Sequence, residues 1–160
     1  MKGTILLLFT IIAVTMSEDY VGRLMNIAKL KREKVLECMN KTHVTIEDFE
    51  HFDRVLIDKL VVDFDNVVLK VGCLFSCIFQ EKEVMTGAHI DIDKIKDMLR
   101  SKFRRDDTKQ LDVRLQLLDT CSNEVKSNIN ECEVSLKFII CGLRETEKIL
   151  NKDMDNTNDE

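Results

Sequence analysis

Two cysteines four residues apart, Cys73 and Cys77, stand in the run Val71-Gly72-Cys73-Leu74-Phe75-Ser76-Cys77-Ile78-Phe79-Gln80. On a helix, positions i and i+4 share a face, so both thiols would point the same way. Neighbours on one helix make poor disulfide geometry, so each sulfur is expected to reach a different segment. One short helix would then be stapled to two other parts of the chain, and the remaining cysteines must supply the partners.

The compartment for such staples is read from the opening residues. Met1-Lys2-Gly3-Thr4 precedes the apolar run Ile5 to Val14, and Thr15-Met16-Ser17 follows. One positive charge, about ten apolar residues and a small-residue exit have the form of a cleavable signal peptide over residues 1–17. The run is too short to span a bilayer. The expected locale is extracellular. The other four cysteines are Cys38, Cys121, Cys132 and Cys141, and an even count in a secreted chain reads as three disulfides. No Cys-x-x-Cys pair occurs, and His43, His51 and His89 lack ligand spacing, so neither a metal nor another cofactor is expected. A formal net charge of -5 argues against nucleic-acid and anionic-lipid partners, which need excess positive charge. No later segment is apolar enough for a membrane span.

The chain has no proline and only five glycines. With so few breakers, the expected class is all-α. Residues 18–150 read as one helical domain, followed by a polar, acidic, disordered tail over 151–160. Apolar residues recur at helical spacing from Tyr20 and Val21 to Val35 and Cys38, predicting a first helix that ends by carrying Cys38. Asn40-Lys41-Thr42 is a glycosylation sequon. Thr45 is placed to cap a second helix with Phe49, Phe52 and Leu56 on one stripe. Leu60 to Leu69 is β-branched and aspartate-punctuated, either an extended strap or the lead-in to a third helix. That helix carries Cys73 and Cys77 and is expected to stop near Met85-Thr86-Gly87. Asp91 caps a fourth with the stripe Ile92, Ile95, Leu99 and Phe103. A fifth brings Leu111, Leu115, Leu117, Leu118 and Cys121 inward, and Ser122 to Asn130 marks a turn.

On the last helix, Cys132 and Cys141 are nine residues apart. That is two and a half turns, so the thiols face opposite sides about 13.5 Å apart along the axis and cannot bond each other. Val134, Leu136, Phe138, Ile139 and Ile140 between them leave little polar circumference, which places this helix mid-domain. Six cysteines allow fifteen pairings. Excluding Cys73–Cys77 and Cys132–Cys141 leaves the rest open.

The intervals between cysteines are x34, x3, x43, x10 and x8. This pattern, with Cys-x3-Cys and Cys-x8-Cys as its short elements, resembles the insect odorant-binding proteins. Gly72-Cys73 through Cys77, followed by Met85-Thr86-Gly87-Ala88, is similar to pheromone-binding members from ants and other Hymenoptera. The resemblance implies pairings Cys38–Cys77, Cys73–Cys132 and Cys121–Cys141. It also implies about six helices around an internal apolar cavity that carries odorants or pheromones through aqueous fluid. An olfactory receptor or a second copy of the chain would be further partners. Two departures stand out. The Leu60–Leu69 strap is more apolar than the family's linker, and the acidic tail is ill suited to enter an apolar cavity, because burying unpaired charge is costly.

A non-enzymatic carrier of small hydrophobic ligands is therefore the leading expectation, with burial of apolar surface as its driving force. The expected lining is Phe52, Leu56, Phe75, Ile78, Phe79, Met98, Phe103, Leu118, Phe138 and Ile139, each of which could equally be ordinary core. Charging of His43, His51 or His89 between pH 5 and 8 would give a release trigger. The alternative is a secreted, disulfide-rich helical interaction or venom protein acting through a surface contact. An enzyme is not expected. There is no triad in recognisable context, no phosphate loop, no metal motif and no cysteine outside the bridges.

Overall fold

In the computed structural model of the chain, residues 20–26, 28–57, 65–102 and 108–157 are described. The expected signal peptide, the first half of the Leu60–Leu69 strap and Phe103 lie outside them. Helix α1 covers residues 20–26, with residue 28 again helical, and breaks at Lys29, whose φ is 51°. Helix α2, Arg32–Thr42, follows and carries Cys38. The single first helix expected from the apolar spacing is thus two helices. Its continuous 3.6-residue pattern hides a left-handed residue in the middle.

Left-handed stops usually fall on Gly or Asn, but here they fall elsewhere. α2 ends at His43, φ 53°, where the N–H groups of His43 and Val44 reach back to the carbonyls of Asn40 and Met39. Helix α3, Ile46–Ile57, opens on a reciprocal cap. Thr45 Oγ1 accepts the Asp48 N–H at 3.3 Å, and Asp48 accepts the Thr45 N–H at 2.8 Å. Helix α4, Asn66–Glu81, is capped by Asp65, which accepts the Val68 N–H at 2.8 Å. The second half of the uncertain Leu60–Leu69 stretch is therefore the lead-in to α4.

α4 stops at Glu81, short of the expected Gly87. Glu83 takes φ 55°, its N–H returns to Gln80, and the Val84 N–H returns to Phe79, which is the double bond of a Schellman stop. Met85-Thr86 is no helix end. It is strand β1, Met85–Thr86, paired antiparallel with β2, His89–Ile90, so that Met85 faces Ile90. Gly87, at φ 54°, makes the turn between them.

Helix α5, Ile92–Arg100, starts on the expected cap, Asp91 accepting the Lys94 N–H at 2.9 Å. Helix α6, Thr108–Val125, continues past the Ser122 where a turn was expected. Helix α7, Glu131–Thr157, is capped by Asn130, which accepts the N–H groups of Cys132 and Glu133 at 2.9 and 3.1 Å. α7 also runs beyond Leu150 to Thr157, through residues read from their polarity as a disordered tail. The class is all-α, with seven helices and one two-residue ribbon among the described residues. The count exceeds the implied six by the split of the first helix.

The disulfides are Cys38–Cys77, Cys73–Cys132 and Cys121–Cys141, the pairs that the resemblance implies. α4 is thereby bonded to α2 and α7, and α7 to α4 and α6. At the crossing of α4 with α7, a Cβ on Gly72 would lie 2.5 Å from the Cys132 carbonyl oxygen and 2.8 Å from Leu136 Cβ. Glycine is what lets the two backbones close until the Cα atoms of Cys73 and Cys132 stand 4.1 Å apart. The buried hydroxyls of Ser76 on α4 and Ser135 on α7 both donate to Met85 Sδ, at 3.8 and 3.2 Å, pinning the ribbon against this pair.

Candidate functional site

Two clusters of buried apolar residues flank α4. One gathers α1, α2, α3 and the inner face of α4, with Val35, Val71 and Leu74 sealed from solvent and Leu136 of α7 closing it. The other joins the ribbon, α6 and α7 through Met85, Ile90, Val125, Val134 and Phe138. Between the second cluster and α5 the packing changes. α5 has apolar residues on one stripe, yet buries none of them. A strongly amphipathic helix normally covers such a stripe with protein atoms. Here Ile92 and Ile95 pack in part against the second cluster, while Ile95, Met98 and Leu99 border open volume.

That volume is a cavity of about 850 Å³, open to solvent on one side, within the roughly 300–1,000 Å³ range of small-molecule sites. α1 contributes Leu24, with Ala28 just beyond it. α4 contributes Phe75, Ile78 and Phe79, α5 Ile95, Met98 and Leu99, and α6 Val113, Leu117 and Leu118. α7 adds Phe138, Ile139 and Ile149. Phe79 and Phe138 meet edge to face at 6.2 Å and form one aromatic corner of the wall. Among the described residues, the polar side chains on the wall are Lys82, Lys102, Gln110, Arg114 and Thr146.

Of the expected lining, Phe75, Ile78, Phe79, Met98, Leu118, Phe138 and Ile139 are brought together on this wall. Phe52 and Leu56 are not on it. Both sit on α3 and belong to the first cluster. Phe52 packs against Phe75 with ring centroids 6.3 Å apart, so it backs a wall residue instead of forming one. Phe103 is outside the described residues. Sequence reasoning missed Leu24, Ile95, Leu99 and Leu117. The signal for Ile95 and Leu99 was present, since in Ile92-Asp93-Lys94-Ile95-Lys96-Asp97-Met98-Leu99-Arg100 the apolar stripe is narrow and all else is charged. A stripe shows where apolar atoms gather, not whether protein or empty space meets them.

The wall is held from behind by polar ties. Lys96 of α5 pairs with Asp119 of α6 at 2.5 Å, and Arg144 of α7 pairs with Glu124 of α6 at 2.6 Å. None of the three histidines lines the cavity. His43 is the left-handed stop of α2, His89 is exposed on the ribbon, and His51 of α3 bonds Asp65 at 2.6 Å. The Val68 N–H, aided by His51, holds the Asp65 carboxyl below the usual range. Burial pushes the Asp48 carboxyl up, but the Thr45 N–H and the Lys70 ammonium at 2.9 Å outweigh it and hold that group low as well. Among the described residues there is no cluster of three potential metal ligands, and no helix is long and apolar enough to cross a membrane.

The sequence model of the PBP/GOBP family matches residues 25–145. Among curated proteins, the chain is similar to the pheromone-binding protein Gp-9 of the ant Solenopsis globularia littoralis. They are 34% identical over 74 residues, which is 46% of this chain and 46% of that protein. It is similar also to Gp-9 of Solenopsis interrupta, at 24% over 107 residues, or 66% of this chain and 68% of that protein. Gp-9 of Solenopsis sp. (strain X) is 28% identical over the same length. The first of these matches spans under half of its relative. No solved structure matches the chain.

Proposed function

This chain belongs to the PBP/GOBP family, and on that premise we propose that it is a secreted, non-enzymatic carrier of small hydrophobic ligands of the odorant or pheromone class. The observation that carries the reading is the unfilled apolar wall, an 850 Å³ cavity between α4, α5, α6 and α7. The seven expected residues on that wall are proposed as ligand contacts. Placing an aliphatic or aromatic ligand there removes apolar surface from water on both sides, worth about 25 cal/mol per Å² before the costs of association. The relatives' names as pheromone-binding proteins agree with this class of ligand.

Carriage is favoured over catalysis by the wall itself. Among the described residues its polar side chains include no histidine and no carboxylate to move a proton, and every cysteine is bonded to another, leaving no thiolate nucleophile. Secretion goes with the same reading, since three disulfides persist in oxidising compartments. The test is titration of the chain with an apolar naphthylamine dye, whose emission rises on transfer to a dry site, followed by displacement with small apolar competitors. Saturable binding of one dye per chain, reversed by competitors, is expected. Absence of saturable binding across several apolar dyes would overturn the proposal.

A further inference from the structure

We infer that the cavity takes an amphiphile with one anionic head group on an aliphatic tail, the tail within the apolar wall and the head held at the rim by Lys82 and Lys102. The inference rests on the cavity being a ligand site and names the ligand's chemistry. Three observations carry it. First, among the described residues every charged side chain on the lining is a cation, Lys82, Lys102 or Arg114, although the chain as a whole has 29 acidic residues against 24 basic ones. The acidic balance that disfavours an anionic surface as partner is reversed at this one opening.

Second, among the described residues these two lysines have no ion-pair partner, while several others do. Lys34, Lys70, Lys94 and Lys96 each pair with a carboxylate within 3.2 Å. The two glutamates beside Lys82 in sequence are both engaged elsewhere, Glu81 with Lys34 at 3.1 Å and Glu83 with Lys94 at 3.2 Å. Among the described residues neither Lys82 nor Lys102 has an ion-pair partner. Arg114 has a contact of its own, so it adds positive charge to the wall without being counted as a binding group.

Third, local backbone does not account for both charges. Lys82 caps the C-terminus of α4, and Lys102 follows the C-terminus of α5. The carbonyl end of a helix offers about half a negative charge, so each ammonium keeps a surplus. Lys82 is half-buried beside Phe79 and Val84 on the lining, and apolar walls raise the strength of a charge pair above its value in water. A tail alone cannot use these groups, while a carboxylate can.

The test uses the dye-loaded full chain and a series of matched twelve-carbon competitors: dodecanoate, methyl dodecanoate, dodecan-1-ol and protonated dodecylamine. All share one tail, so differences report the head. Dodecanoate is expected to compete roughly tenfold better than the methyl ester, and dodecylamine worst of the four. Raising salt should narrow the acid-to-ester ratio, because the rim is solvent-screened. Lys82→Gln with Lys102→Gln should bring the ratio toward one, while Lys126→Gln, on the turn after α6, should leave it as it was. An ester equal to the acid, or an amine at least as good, would overturn the anionic inference and leave the apolar site standing. A ratio that survives the double substitution would overturn the assignment to these lysines. If the dye does not bind at all, the carrier reading fails together with this one.

Discussion

Around α2, α3 and the inner face of α4, apolar side chains cover one another, and Val35, Val71 and Leu74 are 0% exposed. Around α5 and the facing side of α6, side chains of the same chemistry stay half-exposed, and α5 buries none. The bonding reaches both sides but leaves out α5. Cys38–Cys77 and Cys73–Cys132 lock α4 to the helices on either side of it, and Cys121–Cys141 locks α6 to α7. No cysteine lies on α5, whose anchors include its packing on α6 and the Lys96–Asp119 and Lys94–Glu83 pairs. The contrast is graded, since Leu24 and Ile78 of the packed cluster also border the cavity. One side of α4 is close-packed and stapled, and so can support another side where apolar surface is left for something else to cover.

The largest expected effect comes from the close crossing of α4 with α7. Gly72→Val would drive a branched side chain into the Cys132 carbonyl oxygen and Leu136. A loss of about 4 kcal/mol or more is expected, together with failure of Cys73–Cys132 to close. Non-reducing peptide mapping and thermal unfolding check both. Next, Leu74→Ala in the sealed cluster should cost about 3 kcal/mol by chemical denaturation. Leu99→Ala on the cavity wall should cost under about 1 kcal/mol, because much of its surface is already open. Equal losses for the two would erase the distinction between regions.

The smallest effect expected is one of pH, at the first turns of α3 and α4. Asp48 and Asp65 have folded carboxyl pKa values below their ordinary ones, so their caps stabilise α3 and α4 fully above the unfolded value, about 3.9. That contribution is lost as pH falls from there through the folded values. Amide hydrogen exchange in the first turns of α3 and α4 should quicken on acidification over this range, and Asp65→Asn should blunt the change at α4.

Much of this architecture was legible in the residues. The Cys73–Cys77 spacing implied a helix with two outside partners, the Cys132–Cys141 spacing a second one, and Thr45 and Asp91 marked helix starts that side-chain chemistry dictates. Helix ends were less legible. Lys29, His43 and Glu83 stop helices with positive φ, a conformation that nothing in those residue types announces. Met85-Thr86-Gly87 looked like a helix stop because a Gly that turns a ribbon and a Gly that ends a helix share the same left-handed preference. The site was legible in part for a related reason. Phe52 and Phe75 are equally apolar, and periodicity cannot tell the ring that faces the cavity from the ring that backs it.

The division between a filled and an unfilled side is tested most directly by methyl NMR of the chain titrated with an apolar ligand. Shifts and slowed exchange are expected at the methyl groups of Ile95, Leu99, Leu118 and Ile139, with those of Val35, Val71 and Leu74 unmoved. Perturbation centred on Val71 and Leu74, or none at Ile95 and Leu99 under saturating ligand, would contradict the account.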